Sequence, residues 1–171
     1  KVLQYALKHG VKRVMYSSTS SAYGLINPIP LKEDMKKDCL NPYSITKVAG
    51  EDFCKMYTNL YGLETVTFRY FNVYGERQPT KGQYAPVIGL FQRQSDMGDA
   101  MTVVGDGEQT RDYTHVSDVV SANIAAMIAP EEACGEIFNI GTGTNHSVND
   151  IARMIGGDVT HIAARLGEAR D

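Results

Sequence analysis

NPYSITKVAGEDFCKMYTNLYGLETVTFRY, residues 41–70 of this 171-residue chain, predicts one helix followed at once by one strand. Asn41 and Pro42 favour a helix start, because asparagine caps the first amide groups and proline suits the first turn. Apolar residues then recur at helical spacing until Gly62, which is typical of a helix end. Residues 65–70 are mostly β-branched or aromatic, as in a buried strand. A helix that feeds directly into a strand is typical of α/β folds.

The same alternation extends on both sides of this stretch. The sequence predicts strands at residues 11–18, 65–70, 101–104, 110–115, 136–140 and 159–163, and helices at residues 1–9, 42–61, 86–94, 116–129 and 148–155. Strands that alternate with helices form a parallel sheet with helices on both of its faces. We therefore predict an open α/β sheet built mainly from residues 1–71 and 111–129, and a smaller mixed α/β lobe built mainly from residues 72–110 and 130–171.

Composition and charge exclude several classes of protein. Apolar residues make up 43% and charged residues 22% of the chain, as in a globular protein rather than a disordered one. No run of about 18 apolar residues is present, so no membrane span is predicted. The formal net charge is −3, which argues against a protein whose main partner is nucleic acid.

Cysteine and histidine predict neither a metal site nor a disulfide framework. The three cysteines include no CxxC pair, and the four histidines form no ligand motif. Reduced thiols are the usual state in the cytoplasm, which is the location that we expect.

Both ends of the sequence predict a piece of a longer protein. Residues 1–9 (KVLQYALKH) read as a helix in progress, with no capping residue before them. The last residues, RLGEARD, contain no closing element. We expect further residues at both ends.

Tyr43 and Lys47 are the first candidates for chemistry. They are four residues apart on the predicted helix and therefore share a face. A lysine ammonium near a phenol favours the phenolate, so such a tyrosine can act as a base. The alternative is an ordinary solvated helix face, which the spacing alone favours.

The second candidate is a run of hydroxyl residues, 17–21 (SSTSS), at the end of a predicted strand. Ligands of parallel sheets bind beyond the carboxyl ends of the strands, where hydroxyls can bond to a sugar or a phosphate. The alternative is a capped turn, for which serine runs are common.

Taken in order, these stretches resemble one known family. SSTSSAYG, YSITK, RYFNVYG, GQYAPVI, VVGDGEQTRDYTHVSDVV, EIFNIGTG and RLGEARD resemble the extended short-chain dehydrogenase/reductase superfamily, and within it the nucleotide-sugar epimerases of the UDP-glucose 4-epimerase type. The resemblance covers essentially the whole chain. It implies a Rossmann-like, doubly wound parallel sheet with a small mixed α/β substrate-binding lobe, the cofactor NAD, and a nucleotide-sugar substrate such as a UDP-hexose.

The resemblance also implies roles for individual residues. Tyr43 is the catalytic base, Lys47 activates it, and Thr19 bonds to the reacting sugar hydroxyl. The implied cofactor-binding residues are Ser17, Tyr43, Lys47, Tyr70 and Phe71. The implied substrate-binding residues are Thr19, Asn72, Val87, Val104, Arg111, Arg165 and Glu168. Arginine suits a diphosphate because its fork of donors meets phosphate oxygens in pairs, although either arginine alone also reads as part of a surface ion pair.

The hydroxyl run separates possible reactions. The resemblance implies that dehydratases and the uronate decarboxylase of this superfamily have a threonine, then a polar residue, then a glutamate at this place. This chain has Ser20 and Ser21 at the last two positions, and serine cannot act as a carboxylic acid or carboxylate. The sequence therefore favours epimerisation at C4 of the sugar through a 4-keto intermediate. A 4-keto sugar reductase, another nucleotide-sugar-modifying relative, and a non-catalytic nucleotide-sugar-binding fragment stay open as alternatives.

The chain departs from the family pattern in its cofactor half. The glycine-rich GxxGxxG loop that cradles a pyrophosphate is absent from the sequence, and so is the acid that reads the adenine ribose. We therefore expect the 171-residue chain alone to be inactive. The choice between NAD and NADP stays open on the residues present.

The resemblance implies a homodimer, with the Tyr43 helix and its predecessor in the interface. An apolar helix face gives independent support, and it consists of Phe53, Met56, Tyr57 and Leu60. The equally weighted alternative is that this face packs on the sheet of the same chain.

Overall fold

A computed structural model describes residues 1–82 and 85–163 of the chain. Its helices are α1 (Val2–Lys8), α2 (Pro42–Tyr61), α3 (Val87–Asp96), α4 (Val116–Ile128) and α5 (Val148–Ile155), with short 3₁₀ helices at Ser20–Tyr23 and Glu131–Ala133. Its strands are β1 (Arg13–Thr19), β2 (Glu64–Tyr70), β3 (Asn72–Tyr74), β4 (Met101–Val104), β5 (Thr110–His115), β6 (Ile137–Ile140), β7 (Asn145–Ser147) and β8 (Val159–Ile162).

Helix α2 begins and ends where its sequence predicts. The Asn41 side chain accepts a hydrogen bond from the backbone N–H of Ser44 at 2.9 Å, and the Ser44 hydroxyl oxygen accepts one from the backbone N–H of Asn41, which forms a capping box. Gly62 ends the helix with a φ of 68°, a left-handed conformation that a residue without Cβ adopts without strain. Local capping chemistry therefore fixes both ends of the helix that carries Tyr43 and Lys47.

A three-stranded parallel sheet in the order β1-β2-β6 forms the first layer. The register places Thr19 of β1 beside Tyr70 of β2, and Tyr70 beside Ile140 of β6. The carboxyl ends of the three strands therefore lie along one edge of the sheet, which confirms the predicted parallel α/β class.

Helices cover both faces of this sheet, as the doubly wound prediction requires. Val66 and Phe68 of β2 pack against Ala126 of α4. Thr65 and Arg69, which point to the opposite face because strand side chains alternate, hydrogen-bond to side chains of α2. The strand is buried on both sides, which explains its nearly continuous run of β-formers.

The remaining strands form a mixed arrangement. β5 pairs in parallel with β3 and antiparallel with β7, and β4 pairs in parallel with β8. Their core is a cluster of apolar side chains from α3, β4 and α5: Ile88, Phe91, Met101, Val103, Val148, Ile151 and Ala152.

The chain divides into two compact units. The first contains Lys1–Phe71 and Ser117–Ile140, and the second contains Asn72–Val116 with the described residues from Gly141 onward. The sequence predicts residues 111–116 as part of the sheet and residues 130–140 as part of the lobe. In the structure residues 111–116 belong to the second unit and residues 130–140 to the first, because β5 pairs with β3 and β7, whereas β6 pairs with β2. Strand partners decide these assignments, and the sequence does not show them.

Two large side chains of the apolar face of α2, Phe53 and Leu60, do not pack on the sheet. Phe53 is 58% exposed and Leu60 is 69% exposed. The buried positions of α2 are Ser44, Glu51 and Cys54 instead. The interpretation that Phe53 and Leu60 pack on the sheet of their own chain is therefore wrong.

None of the helices in residues 1–82 and 85–163 has both the length and the apolar character that crossing a membrane requires.

Candidate active site

Thr19 lies at the carboxyl end of β1, beside Tyr70, and is 7% exposed. Its Oγ1 accepts a hydrogen bond from the backbone N–H of Ser21 at 3.2 Å and so caps the 3₁₀ helix that follows. The capped-turn interpretation of the hydroxyl run is thus correct for this oxygen. A hydroxyl that accepts one bond still has its own O–H to donate, so capping leaves Thr19 able to bond to a ligand.

Lys47 and Tyr43 lie in the first two turns of α2, against β1. The Lys47 Nζ donates a hydrogen bond to the backbone oxygen of Ser17 at 2.8 Å and lies 5.7 Å from the centroid of the Tyr43 ring. Tyr43 is 54% exposed, so a ligand can reach it. The structure therefore brings Ser17, Tyr43 and Lys47 together around one ammonium group.

A second aromatic ring borders the same ammonium. Tyr16 of β1 has its ring centroid 5.6 Å from the Lys47 Nζ, and its hydroxyl donates to the backbone oxygen of Lys47 at 3.3 Å. The sequence analysis did not single out Tyr16. A signal was present, since Tyr16 directly precedes the hydroxyl run and a strand places it on the face opposite to the side chain of Ser17.

A buried ion pair lies further along α2. The Arg69 Nε and Nη2 donate to the two carboxylate oxygens of Glu51 at 3.0 and 2.8 Å, and both residues are at most 2% exposed. The Ser18 hydroxyl donates to the same carboxylate at 2.5 Å, and the Lys37 Nζ lies 3.4 Å from it. The pair joins α2 to β2, and the Ser18 bond joins it to β1.

The Glu51 carboxylate is charged in this setting. Burial by itself raises the pKa of Glu51, but the hydrogen bonds from Arg69 and Ser18 and the positive charges of Arg69 and Lys37 together outweigh burial, so the pKa lies below its ordinary value. The sequence analysis missed this pair, because a glutamate on a helix ordinarily reads as solvent-facing.

Tyr70 and Phe71 follow at the carboxyl end of β2. The Tyr70 hydroxyl accepts a hydrogen bond from Nδ2 of Asn123 on α4 at 2.8 Å, so its side chain lies on the α4 face of the sheet, whereas Lys47 lies on the α2 face. The Phe71 backbone N–H donates to the oxygen of Ile140 at 3.1 Å. The structure does not bring the Tyr70 side chain to Lys47, and the cofactor roles of Tyr70 and Phe71 stay predictions.

The second unit contains a cavity of about 310 Å³. Four residues that the sequence analysis assigned to the substrate line it together: Asn72 of β3, Val87 of α3, Val104 of β4 and Arg111 of β5. They come from four separate elements, so the fold rather than sequence proximity brings them together. Their substrate-binding roles stay predictions, but the cavity that those roles require is present.

Strand β5 contributes two polar side chains to this cavity. Arg111 and Tyr113 line it, while Asp112 is buried on the opposite face of the strand. The Asp112 carboxylate accepts hydrogen bonds from the backbone N–H groups of Thr142 and Gly143, each at 2.8 Å. These bonds anchor β5 from its far side and fix the strand from which Arg111 and Tyr113 project.

The Tyr113 hydroxyl is a functional candidate that the sequence analysis missed. Its oxygen is buried and has no hydrogen-bond partner among the described residues. Burial raises the pKa of Tyr113, and the charge of Arg111 offsets this only in part. A buried hydroxyl without a partner is unfavourable, so the Tyr113 hydroxyl in the cavity wall is a candidate to bond to a polar group there. Its position two residues after Arg111 on a strand was the available signal.

Residues 1–141 match the family described as the NAD dependent epimerase/dehydratase family. The chain belongs to this family. The matched range includes every element of the first unit and the Lys47 and Tyr43 arrangement on α2.

Several members of the epimerase/dehydratase family are similar to this chain. It is 42% identical to the UDP-N-acetyl-alpha-D-glucosaminuronate decarboxylase of Bacillus cytotoxicus, over 96% of this chain and 51% of that protein. It is 38% identical to the UDP-glucose 4-epimerase of Mycolicibacterium smegmatis, over 88% of this chain and 47% of that protein. The crystal structure of the Thermotoga maritima UDP-glucose 4-epimerase with UDP-glucose has a TM-score of 0.92 and 34% identity, over 99% of this chain and 56% of the other. The chain spans about half the length of the curated relatives it matches.

Two predicted substrate residues, Arg165 and Glu168, lie outside the described residues. Within residues 1–82 and 85–163, no group of three or more His, Cys, Asp or Glu side chains is arranged to hold a metal ion.

Proposed function

We propose that this chain is the catalytic and substrate-binding portion of an NAD-dependent nucleotide-sugar 4-epimerase. The observation that carries the proposal is the Lys47 ammonium, which lies beside the ring of the accessible Tyr43 and on the backbone oxygen of Ser17. This arrangement lies beside β1, whose carboxyl end carries Thr19. A phenol, an ammonium and a hydroxyl in this setting suit removal of a proton from a sugar hydroxyl.

The residues of the first unit fit the nicotinamide end of NAD. An ammonium has three N–H donors, and within the described residues one of them bonds to Ser17, so others can reach the ribose hydroxyls of the cofactor. Bound NAD supplies a hydride acceptor and then a hydride donor. Ser17, Tyr43 and Lys47 would hold this end of the cofactor, and Phe71, which follows Tyr70 at the end of the neighbouring strand, would pack near it.

Each polar residue of the first unit has one task in the reaction. Tyr43 takes the proton of the 4-hydroxyl of the sugar and later returns a proton to the 4-keto oxygen. Lys47 favours the phenolate form of Tyr43, and Thr19 holds the reacting hydroxyl in place. The sugar inverts at C4 when it takes its hydrogen back on the opposite face. Ser20 and Ser21 offer hydroxyls where elimination needs a carboxyl group, which supports epimerisation.

The cavity of the second unit suits the nucleoside diphosphate of the substrate. Arg111 presents a fork of donors that matches phosphate oxygens, and Asn72 and Tyr113 add polar atoms beside it. Val87 and Val104 provide apolar walls for a base. We propose UDP-hexoses as the substrate class, since the similar proteins are named for UDP-sugars.

Replacing Arg111 with alanine is expected to weaken substrate binding more than turnover. Arg111 contacts the diphosphate before and during reaction, so the lost bond affects ground state and transition state alike. A hydrogen bond to a charged group contributes about 1.5–3 kcal/mol, so KM should rise roughly 10- to 150-fold. Steady-state kinetics and UDP titration by calorimetry measure this. The matched control is Arg153→Ala on α5, a largely exposed arginine of the same unit, and equal losses in the two variants would contradict the assignment.

The direct test of the proposed activity is product analysis. The full-length protein, incubated with UDP-glucose and NAD⁺, is expected to form UDP-galactose. A dehydrated sugar, or net reduction of a 4-keto sugar as the only reaction, would contradict the proposal.

We also propose that the intact enzyme is a homodimer that pairs through α1 and α2. Tyr5 of α1 and Phe53 and Leu60 of α2 are large apolar side chains that this chain leaves exposed. Sedimentation of the full-length protein is expected to give a dimer, and Leu60→Glu is expected to shift it toward the monomer, because a charge then has to be buried in the interface. Lys55→Glu, a polar change on the same helix, is the control. A monomer for the unaltered protein would exclude the dimer.

A cytoplasmic location is part of the same proposal. Cys39, Cys54 and Cys134 are all unpaired, which suits a reducing compartment.

A further inference from the structure

Tyr16 and Gly50 are matched in shape across the contact between β1 and α2. A Cβ atom built on Gly50 would lie 2.9 Å from Cε1 of Tyr16 and would overlap Cζ and the hydroxyl oxygen. Glycine disfavours a helix relative to alanine, yet it stands here in the third turn of a 20-residue helix. Its absent side chain is what lets the Tyr16 ring approach the helix backbone and donate to the oxygen of Lys47.

The Tyr16 ring lies under the Lys47 ammonium. The Nζ of Lys47 is 5.6 Å from the centroid of Tyr16 and 5.7 Å from the centroid of Tyr43. Aromatic faces attract a cation at this range. The ammonium therefore has an aromatic ring on each of two elements, together with its bond to Ser17.

The Tyr16 phenol stays protonated and therefore neutral. Burial raises the pKa of the Tyr16 phenol, and the nearby Cys54, Glu51 and Tyr43 raise it further. Tyr16 therefore does not compete as a base.

We propose that Tyr16 is a positioning residue whose ring, admitted by Gly50, holds the Lys47 ammonium beside the phenol of Tyr43. The inference rests on the proposed roles of Tyr43 and Lys47 in the epimerisation. Tyr16 acts through Lys47, so replacing it should change turnover rather than the binding of the nucleotide.

The first test replaces the ring in the full-length enzyme. Tyr16→Leu is expected to lower kcat roughly tenfold, within the range of a desolvated cation–ring contact, and to leave KM within about twofold. Tyr16→Phe keeps the ring and should restore kcat, with KM again within about twofold. An equal loss in Tyr16→Leu and Tyr16→Phe would overturn the proposal.

The second test separates positioning from packing. Gly50→Ala alone should lower the thermal midpoint, because its Cβ collides with the ring, although alanine favours a helix. In the double variant Tyr16→Leu/Gly50→Ala the methyl group has room, so the thermal midpoint should recover while kcat stays roughly tenfold low. Recovery of kcat together with stability would mean that Tyr16 only fills space, and would overturn the proposal.

A readout without turnover keeps this inference apart from the proposed function. NMR of isotope-labelled lysine and tyrosine in the full-length protein is expected to show nuclear Overhauser contacts between the Lys47 side chain and the Tyr43 ring in the unaltered protein and in Tyr16→Phe, and to show them weakened in Tyr16→Leu. Equal contacts in Tyr16→Leu and Tyr16→Phe would overturn the inference. If the unaltered protein epimerises no nucleotide sugar but the contacts differ in this way, the proposed function fails and the positioning role stands.

Discussion

Tyr43→Phe in the full-length enzyme is expected to lower kcat by about 10²- to 10⁴-fold, the usual contribution of a general acid–base group. The ring and its contact with Lys47 survive the change, since only the hydroxyl is removed. Nucleotide-sugar binding should therefore stay within about twofold of that of the unaltered enzyme, because in the proposed reaction the lost hydroxyl acts on a proton that moves in the transition state. Stopped-flow or steady-state kinetics, with UDP-sugar titration by calorimetry, separate the two quantities.

Thr19→Ala serves as the comparison for this prediction. In the proposed mechanism this change removes one hydrogen bond to the reacting hydroxyl and leaves the base in place, so kcat should fall less than in Tyr43→Phe. Full activity of Tyr43→Phe would mean that another group is the base. A loss in Thr19→Ala larger than that in Tyr43→Phe would also contradict the assignment.

Glu51→Gln is expected to lower the free energy of unfolding of the full-length protein by about 3–5 kcal/mol, because it leaves the guanidinium of Arg69 buried without its countercharge. Arg69 is 1% exposed, so water cannot replace the lost carboxylate without opening the contact between α2 and β2. Urea unfolding followed by circular dichroism measures the change.

The double variant Glu51→Leu/Arg69→Met is the control for this pair. Apolar residues of similar volume remove both charges, and such replacements of buried ion pairs are often neutral or stabilising. Its unfolding free energy should lie closer to the parental value than that of Glu51→Gln. A loss of less than about 1 kcal/mol in Glu51→Gln, the size of an exposed pair, would contradict the account of a buried pair.

The same pair predicts a dependence of stability on pH. Folding lowers the pKa of Glu51, so the stability that its charge adds is present above its unfolded pKa and is lost as the pH falls through the folded value. The thermal midpoint of the parental protein should therefore fall more steeply in acid than that of the double variant.

Local chemistry explains which parts of the fold the sequence predicts well. Asn41 and Gly62 fix both ends of α2 through bonds within a few residues, and a capping box of Ser147 and Asp150 fixes the start of α5 in the same way. The predicted bounds of β4 and β5 also agree with the structure. Strands β3 and β7 were missed, because three residues are too few to show a period.

Contacts between distant residues explain what the sequence does not show. Glu51 and Arg69 each read as an ordinary polar position, and only the packing of α2 on β2 makes them a buried pair. Tyr16 needs Gly50, which lies 34 positions away on another element. The family resemblance identified four residues that line one cavity in the structure: Asn72, Val87, Val104 and Arg111. It did not identify the hydroxyl of Tyr113.

Hydrogen tracing at C4 tests the central claim most directly. The full-length enzyme is given UDP-glucose that carries deuterium at C4, with NAD⁺, and the UDP-galactose formed is analysed by NMR and mass spectrometry. Oxidation and re-reduction within one site predict that the deuterium stays at C4 with inverted configuration, since the hydride returns to the sugar from which it came. Loss of the deuterium to solvent would contradict the account. So would a dehydrated product from UDP-glucose, or a decarboxylated product when UDP-glucuronate is the substrate.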